Sequence, residues 1–446
     1  MTLNAMKTLE RDLRLSRREL ESIVKSFHQE MKKGLTGSSG SLKMIPTYVD
    51  RPTGSEKGRY LALDLGGTNF RILSLTLKGR GIPSDKRVMK FALRKRDIST
   101  TGKRLFKFLA GSIKKFIKEK KIDLSGSIDL GFTFSFPVKT TGPASGTLIV
   151  WTKGFSASGV EGRDVVALLE RAIADEKIDN ISVVALANDT VGTLVARSYD
   201  DKDCDVGVII GTGTNACYVE DLRNIRKMKN LRRQPGTMII NIEWGNFNRL
   251  KATRYDRQLD GESINPGAQI LEKMVSGMYL GELCRLIAVD LISEKILFGG
   301  RACGNFNKNM AFSGEFVSQV LADRSRGLSG IISLLRRLGV KDPGTEDGKT
   351  IRKICSLLAV RAARISAAAI FAVITRIDPD IKKRHIVAID GSVYEKLPGF
   401  AENIKSAVSE LSGVRTGKIR ISLTKDGSGY GAAIIAAVSS AEGDTK

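Results

Sequence analysis

Histidine is almost missing from this chain: 446 residues carry two, His28 and His385. The five cysteines, Cys204, Cys217, Cys284, Cys303 and Cys355, have no CxxC spacing. Neither a zinc site nor a disulfide framework is therefore expected, and the thiols read as reduced and structural. Aromatics make up 6% of the chain, and no aromatic-interleaved nucleic-acid reader accompanies its basic stretches. No apolar run approaches about 18 residues, so no membrane span is indicated. The first residues, MTLNAMKTLERDLRLSRRELES, mix acids with bases and lack an apolar core, which predicts a cytoplasmic protein without a secretory leader. Acids are short as well: 48 Asp and Glu face 72 Lys and Arg, a formal charge of +24. Basic stretches at 103–121 and 223–233 could attract nucleic acid, anionic lipid or polyphosphate. The first, however, has apolar residues at helical spacing among its lysines and reads as an amphipathic helix with a solvated face. Neither nucleic acid nor a membrane is an expected partner.

What the chain does have is glycine, 45 residues of it, placed at chemically telling points. In LALDLGGTNFRIL (61–73), Gly66 and Gly67 permit a sharp turn, so that backbone N–H groups and the Thr68 hydroxyl can approach an anion. Asp64 ends an otherwise apolar strand, where a carboxylate is costly unless it meets a cation, Mg²⁺ or its water shell being the natural one. A plain Gly-Gly hairpin with an exposed Asp is the competing reading of this segment. VGVIIGTGTNACYVE (206–220) repeats the plan with a turn at Gly211, Thr212 and Gly213. Two such units commonly close two lobes on one nucleotide. Between them, Asn188 and Asp189 follow an apolar strand, where α/β sheets present ligand groups. Asp189 is placed to take a proton from a hydroxyl, although Asn, Asp and Thr also cap helices. Aromatics bracket hydroxyls in GFTFSFPV (131–138) and LIVWTKGF (148–155). Gln269 and Glu272, three apart on a predicted helix turn, share a face suited to sugar hydroxyls. Taken singly, Glu243 and Glu272 read as solvated acids.

Ten blocks follow one another along nearly the whole chain: SLKMIPTYVDRPTGSEKG (41–58), LDLGGTNFR (63–71), TFSFPV (133–138), WTKGF (151–155), NDTVGTL (188–194), GTGTNACY (211–218), EWGNF (243–247), INPGAQILEKMVSGMYLGEL (264–283), IDGSVYEKLPGF (389–400) and DGSGYGAA (426–433). In that order they resemble the hexokinase family of the large eukaryote type that includes glucokinase. The resemblance implies transfer of the γ-phosphate of Mg-ATP to the 6-hydroxyl of a hexose, the first step of glycolysis. Asp189 matches the general base. Thr152 and Lys153 match a sugar-binding pair, Lys153 lying near the transferring phosphoryl group. Ser135, Asn188, Asn215, Glu243, Gln269 and Glu272 match the remaining sugar contacts. Asp64, Gly66, Gly67, Thr68, Asn69 and Arg71 match the first phosphate segment, with Asp64 holding Mg²⁺ through water. Gly211, Thr212 and Gly213 match the second segment, and Gly391, Ser392 and Ser428 the adenosine side. Met278 stands where some members have a lysine near the triphosphate.

The resemblance also implies an α/β fold of the two-lobed, actin-like (ribonuclease H-like) sugar kinase type, with a cleft between a small and a large domain. Residues 59–190, completed by a C-terminal helix at 428–446, are expected to form the small domain, and 1–58 with 191–427 the large one. Residues 6–33 read as one amphipathic helix, with further helices at 103–120, 162–177 and 350–374. GTEDGKT (344–350) is one residue short of a Walker A loop and reads as an exposed loop opening the last of these. The lobes are expected to close on sugar and expel water, in a monomer or homodimer. A catalytically idle sugar sensor and a basic nucleic-acid-binding protein are the rival readings.

Overall fold

The computed structural model describes residues 2–66, 69–79, 83–152, 154–301 and 304–443. Among the described residues, ten strands build the two main sheets, and Val138–Gly142 with Ser145–Leu148 forms a separate hairpin. Strands β1 (Lys57–Leu65), β2 (Asn69–Lys78), β3 (Ser84–Ala92), β4 (Ile128–Phe134) and β5 (Ile181–Ala187) form one sheet in the order β3-β2-β1-β4-β5. Strands β6 (Cys204–Ile210), β7 (Thr214–Asp221), β8 (Thr237–Asn241), β9 (His385–Asp390) and β10 (Ile419–Leu423) form a second in the order β8-β7-β6-β9-β10, extended at its edge by Ile45–Pro46 against β8. In both sheets the first three strands are antiparallel and the last two join in parallel. The lobes are thus two copies of one topology, and in each a glycine turn joins the first strand to the second.

Strand periodicity decides where the chemistry of β1 points. Leu61, Leu63 and Leu65 enter the small-lobe core with helix α1 (Gly102–Lys120), whose Leu105, Leu109, Ile113 and Phe116 form its apolar face. Ala62 faces the other way, onto helix α4 (Gly427–Gly443). Asp64, two residues on, shares the side of Ala62 and meets α4 at its first turn. The large-lobe core is organised around helix α3 (Thr345–Ile377), rich in alanine. It is the one described helix long and apolar enough to cross a bilayer, yet 78% of its apolar stretch is buried in the lobe.

A third core joins the lobes. Ala432, Ala433 and Ile435 of α4 pack with Leu194 and Val195 of helix α2 (Asp189–Asp200), with Ala62 of one sheet and with Cys217 and Ile239 of the other. Two glycine contacts set its spacing. A Cβ at Gly431 would stand 1.9 Å from the Gly192 carbonyl oxygen, and one at Gly131 would stand 1.9 Å from that of Ala432. Backbone therefore touches backbone where α4 crosses α2 and β4.

Two expected elements differ. The N-terminal helix is two helices, Thr2–Leu13 and Arg17–Thr36, because Ser16 and Glu19 form a capping box that starts the second. GTEDGKT is not a loop but the opening of α3 at Thr345, where Asp347 accepts the Gly344 N–H at 2.8 Å.

Candidate active site

The antiparallel β1–β2 register places Asp64 opposite Arg71. Arg71 Nε donates to Asp64 Oδ2 at 2.7 Å, and the same oxygen accepts the Ser428 hydroxyl at 2.9 Å. The guanidinium also donates to Ser428 Oγ at 2.8 Å and to the Asp426 carboxylate. Within the chain, the cation beside Asp64 is thus Arg71. Thr133 of β4 holds the Ser428 carbonyl at 3.3 Å. Burial raises the Asp64 pKa; Arg71 and Ser428 oppose that shift, and the charge of Asp189 adds to it. Burial works against the Arg71 charge as well, but Asp64 and Asp426 hold its pKa above the usual value.

The candidate base stands at the head of α2. Asn188 caps α2, its Oδ1 accepting the Thr190 N–H at 3.0 Å, so the capping role falls to Asn188 and Asp189 is the first helical residue. Asp189 Oδ1 accepts the same N–H at 2.9 Å, which orients the carboxylate. Its charge also reaches Cys217 of β7, a thiol whose pKa burial pushes up. Asp189 therefore stands between the small-lobe hairpin and the large-lobe sheet.

The second glycine turn adjoins the first cluster. A Cβ on Gly211 would stand 3.5 Å from Gly391 Cα, and Gly391 itself has φ +118°, a conformation that suits glycine. The preceding Asp390, its pKa raised by burial, is lowered in turn by Arg71 and raised by Asp426. Ser392 begins a short helix there. The second turn and the Gly391–Ser428 side thus border the Asp64–Arg71–Asp426 group of charges. Met278 is exposed, its N–H donating to the Thr212 carbonyl at 3.2 Å. Among the described residues no cluster of three or more metal-ligating side chains occurs. Carboxylate oxygens beside a nucleotide turn fit magnesium carried in on phosphates, which needs only one or two protein carboxylates.

The candidate sugar groups converge from the large lobe. Asn215 Nδ2 donates to Asn241 Oδ1 at 2.8 Å and to Glu243 Oε1 at 3.2 Å, and Asn241 Nδ2 donates to Glu243 Oε1 at 2.9 Å. Glu272 Oε2 accepts the Thr214 N–H at 2.9 Å. Gln269 caps the helix Ile270–Val275 whose first turn carries Glu272, its carbonyl accepting the Lys273 N–H at 3.0 Å, and it has φ 55°, as Glu243 does before Trp244–Asn246. Left-handed backbone at two non-glycine residues is strain of the kind that marks functional sites. Gly245 brings them together, for a Cβ there would stand 2.2 Å from Gln269 Oε1 and 3.3 Å from Glu272 Cβ. Glu243 and Glu272 are consequently half-buried and bonded rather than solvated.

From the small lobe come Asn188 and the buried Ser135, whose N–H donates to the Leu65 carbonyl at 3.4 Å. Phe134, Phe136, Trp151 and Phe155 form the ring cluster behind Ser135 and Thr152, with Trp151 and Phe155 stacked at 5.2 Å. Asn188, Asn241, Glu243 and Phe136 line one cavity of about 30 Å³, so groups of both lobes reach the same space. Gly66 donates to the Asn69 carbonyl at 3.3 Å. Gly67, Thr68 and Lys153 lie outside the described residues. Asn241, Asp390 and Asp426 escaped the sequence reading as site groups, although each lies within or beside a quoted block.

Two family models, both described as hexokinase, match residues 5–199 and 205–438. Human hexokinase-2 is 40% identical over 440 residues, covering 96% of this chain; the chain spans about half of that relative, 47% of its length. Rice hexokinase-7 is 40% identical over 438 residues, with 94% of each chain covered. Among solved structures, the hexokinase of Schistosoma mansoni complexed with glucose superposes with a TM-score of 0.87 at 36% identity, covering 98% of this chain and 99% of that one.

Proposed function

The chain belongs to the hexokinase family, and from that premise we propose that it transfers the γ-phosphoryl group of ATP to the 6-hydroxyl of glucose or a related hexose. The observation that carries this reading is the packing of α2, which opens with Asp189, onto the start of α4, where a Cβ at Gly192 would stand 2.7 Å from the carbonyl oxygen of Ser428, itself bonded to Asp64. It brings the one carboxylate at the head of α2 to the edge of the phosphate cluster, between two sheets that each end in a glycine turn. In the proposed reaction the sugar oxygen attacks the γ-phosphorus in line, its proton passes to Asp189, and the bond to the β-phosphate oxygen breaks. Asp189 gains its effect from alignment rather than basicity, receiving the proton late along a loose displacement.

Asn215, Glu243 and Glu272 are held by one another and by Asn241 and Thr214, so the sugar meets preset partners and little ordering is left for the bound complex. Arg71 and the N–H groups at the start of α4 supply positive potential for the phosphates. Asp64 and Asp390 are the carboxylates that would hold hydrated Mg²⁺, which supplies charge neutralisation on the triphosphate. Lys153 is assigned to the phosphoryl group by the resemblance.

Coupled kinetics with a panel of hexoses and phosphate donors tests the reading. Asp189→Asn should lower turnover by about 1,000-fold, while glucose binding, followed through the fluorescence of Trp151 and Trp244, stays within about threefold. Unchanged turnover in that variant would remove Asp189 from the reaction.

A further inference from the structure

Gln269 reaches the sugar site at the end of a short irregular segment, 263–268, between the helices Arg254–Glu262 and Ile270–Val275. Two charged side chains hold that segment. Lys273, next to Glu272 on the second helix, is 2% exposed. Its Nζ donates to Asp260 Oδ1 at 2.6 Å and to the Asn265 carbonyl at 2.8 Å. The Asp260 carboxylate also accepts the Gly267 N–H at 3.0 Å, and the Asn265 carbonyl accepts the Ala268 N–H at 3.1 Å. Lysine and aspartate thus grip the first carbonyl and the third N–H of the turn 265–268, and Gln269 is the next residue.

The grip is itself anchored. Asp260 lies on the helix Arg254–Glu262, whose buried Asp256 receives both NH groups of Arg361 of α3, at 2.7 and 2.8 Å. A two-pronged pair of this kind fixes orientation as well as distance. At the other end, the left-handed backbone of Gln269 persists only where its surroundings impose it. Neither Lys273 nor Asp260 is among the candidate sugar contacts, and an apolar residue would fill the space of a buried ammonium at less cost.

We propose that Lys273 and Asp260 are positioning residues for the hexose: they fix the turn 265–268 so that Gln269 stands ready beside Glu243 and Glu272, and they set sugar affinity without touching sugar. Holding the turn in advance removes an ordering cost from binding. The inference rests on the hexokinase reading and adds to it two residues behind the site.

Saturation kinetics with glucose and with ATP, isothermal titration with glucose, and thermal melting of the full chain test it in two variants. Lys273→Met/Asp260→Asn removes both charges together and leaves neither buried alone. It should raise the glucose KM and dissociation constant about tenfold, with kcat and the ATP KM within about threefold, as loss of uniform sugar binding requires. Asp260→Asn keeps an oxygen for the Gly267 N–H and should move the same constants by about threefold. A pair that served only the fold would lower the melting temperature and leave the glucose KM of the folded enzyme unchanged. Unchanged glucose constants in both variants, an equal rise in the ATP KM, or failure of both variants to fold would overturn the positioning role. A wild-type chain that binds glucose without phosphorylating it would refute the kinase reading alone, since the titrations still report on the pair. One that neither binds nor phosphorylates any hexose would refute both.

Discussion

Gly431→Ala adds one methyl group at the crossing of α4 and α2, where the new carbon would stand 1.9 Å from the Gly192 carbonyl oxygen. A carbon needs about 3.3 Å from such an oxygen, so the helices must separate by more than an ångström or α4 must bend. The obstacle is backbone, and it cannot rotate away as a side-chain tip would. Overpacking of this sort costs about 1–3 kcal/mol, and the upper end applies here. The same displacement reaches function, because α4 carries Ser428, hydrogen-bonded to Asp64, and α2 begins with Asp189. A misplacement of about 1 Å can lower turnover about 100-fold. The expected outcome is a melting temperature lowered by several degrees and turnover reduced by about that factor. Gly111→Ala is the control: it lies within α1 with no heavy atom within 4 Å of a new Cβ, and it should stabilise by up to about 1 kcal/mol through helix propensity alone. Differential scanning calorimetry and coupled kinetics on both variants decide the matter. Wild-type melting and turnover in Gly431→Ala would refute the backbone contact as the joint's spacer.

Arg71→Ala should cost about 3–5 kcal/mol at neutral pH, since it strips the buried Asp64 of its counter-charge. The orphaned carboxyl would then bind a proton more readily folded than unfolded, so the deficit should shrink as pH falls, which urea titrations from pH 8 to 5 would read. His385 behaves in the opposite setting: burial opposes its charge, but Asp205 and Asp378 hold its pKa above the ordinary value. The folded chain therefore keeps a proton that the unfolded chain loses. The stability from this residue is full below about pH 6.5 and lost as pH rises through the folded pKa; His385→Asn should flatten that part of the stability profile. Gly213→Ala would place a Cβ 2.7 Å from Glu272 Oε2, displacing a flexible carboxylate rather than backbone. It should raise the glucose KM by about tenfold and leave the melting temperature nearly unchanged, and a large melting shift with normal KM would contradict the role of Glu272.

Much of the site was legible because its chemistry is local. Asp64, Gly66 and Arg71 occupy one hairpin, and Asn188 and Asp189 one strand end, so a few adjacent residues carry the signal. Glu243 was legible only through the resemblance, since alone it resembles any surface acid, whereas Glu272 was signalled by its spacing from Gln269. The left-handed backbone of Gln269 was not legible, because nothing in its neighbours announces it. Ser16 with Glu19 divided a helix that periodicity had joined. In α3 the mixed polar start at 344–350 hid a helix whose length is sustained by tertiary burial.

By itself the sequence determined the strand and glycine-turn units, the cap residues and the order of the blocks, all of which depend on residues close in the chain. Only the tertiary structure decided that Asp64 takes Arg71 and Ser428 as partners, 7 and 364 residues away. It alone set α2, which opens with Asp189, onto the start of α4. Those outcomes follow from the packing of α4 across both sheets, and contacts between backbones that far apart leave no periodic trace along the chain.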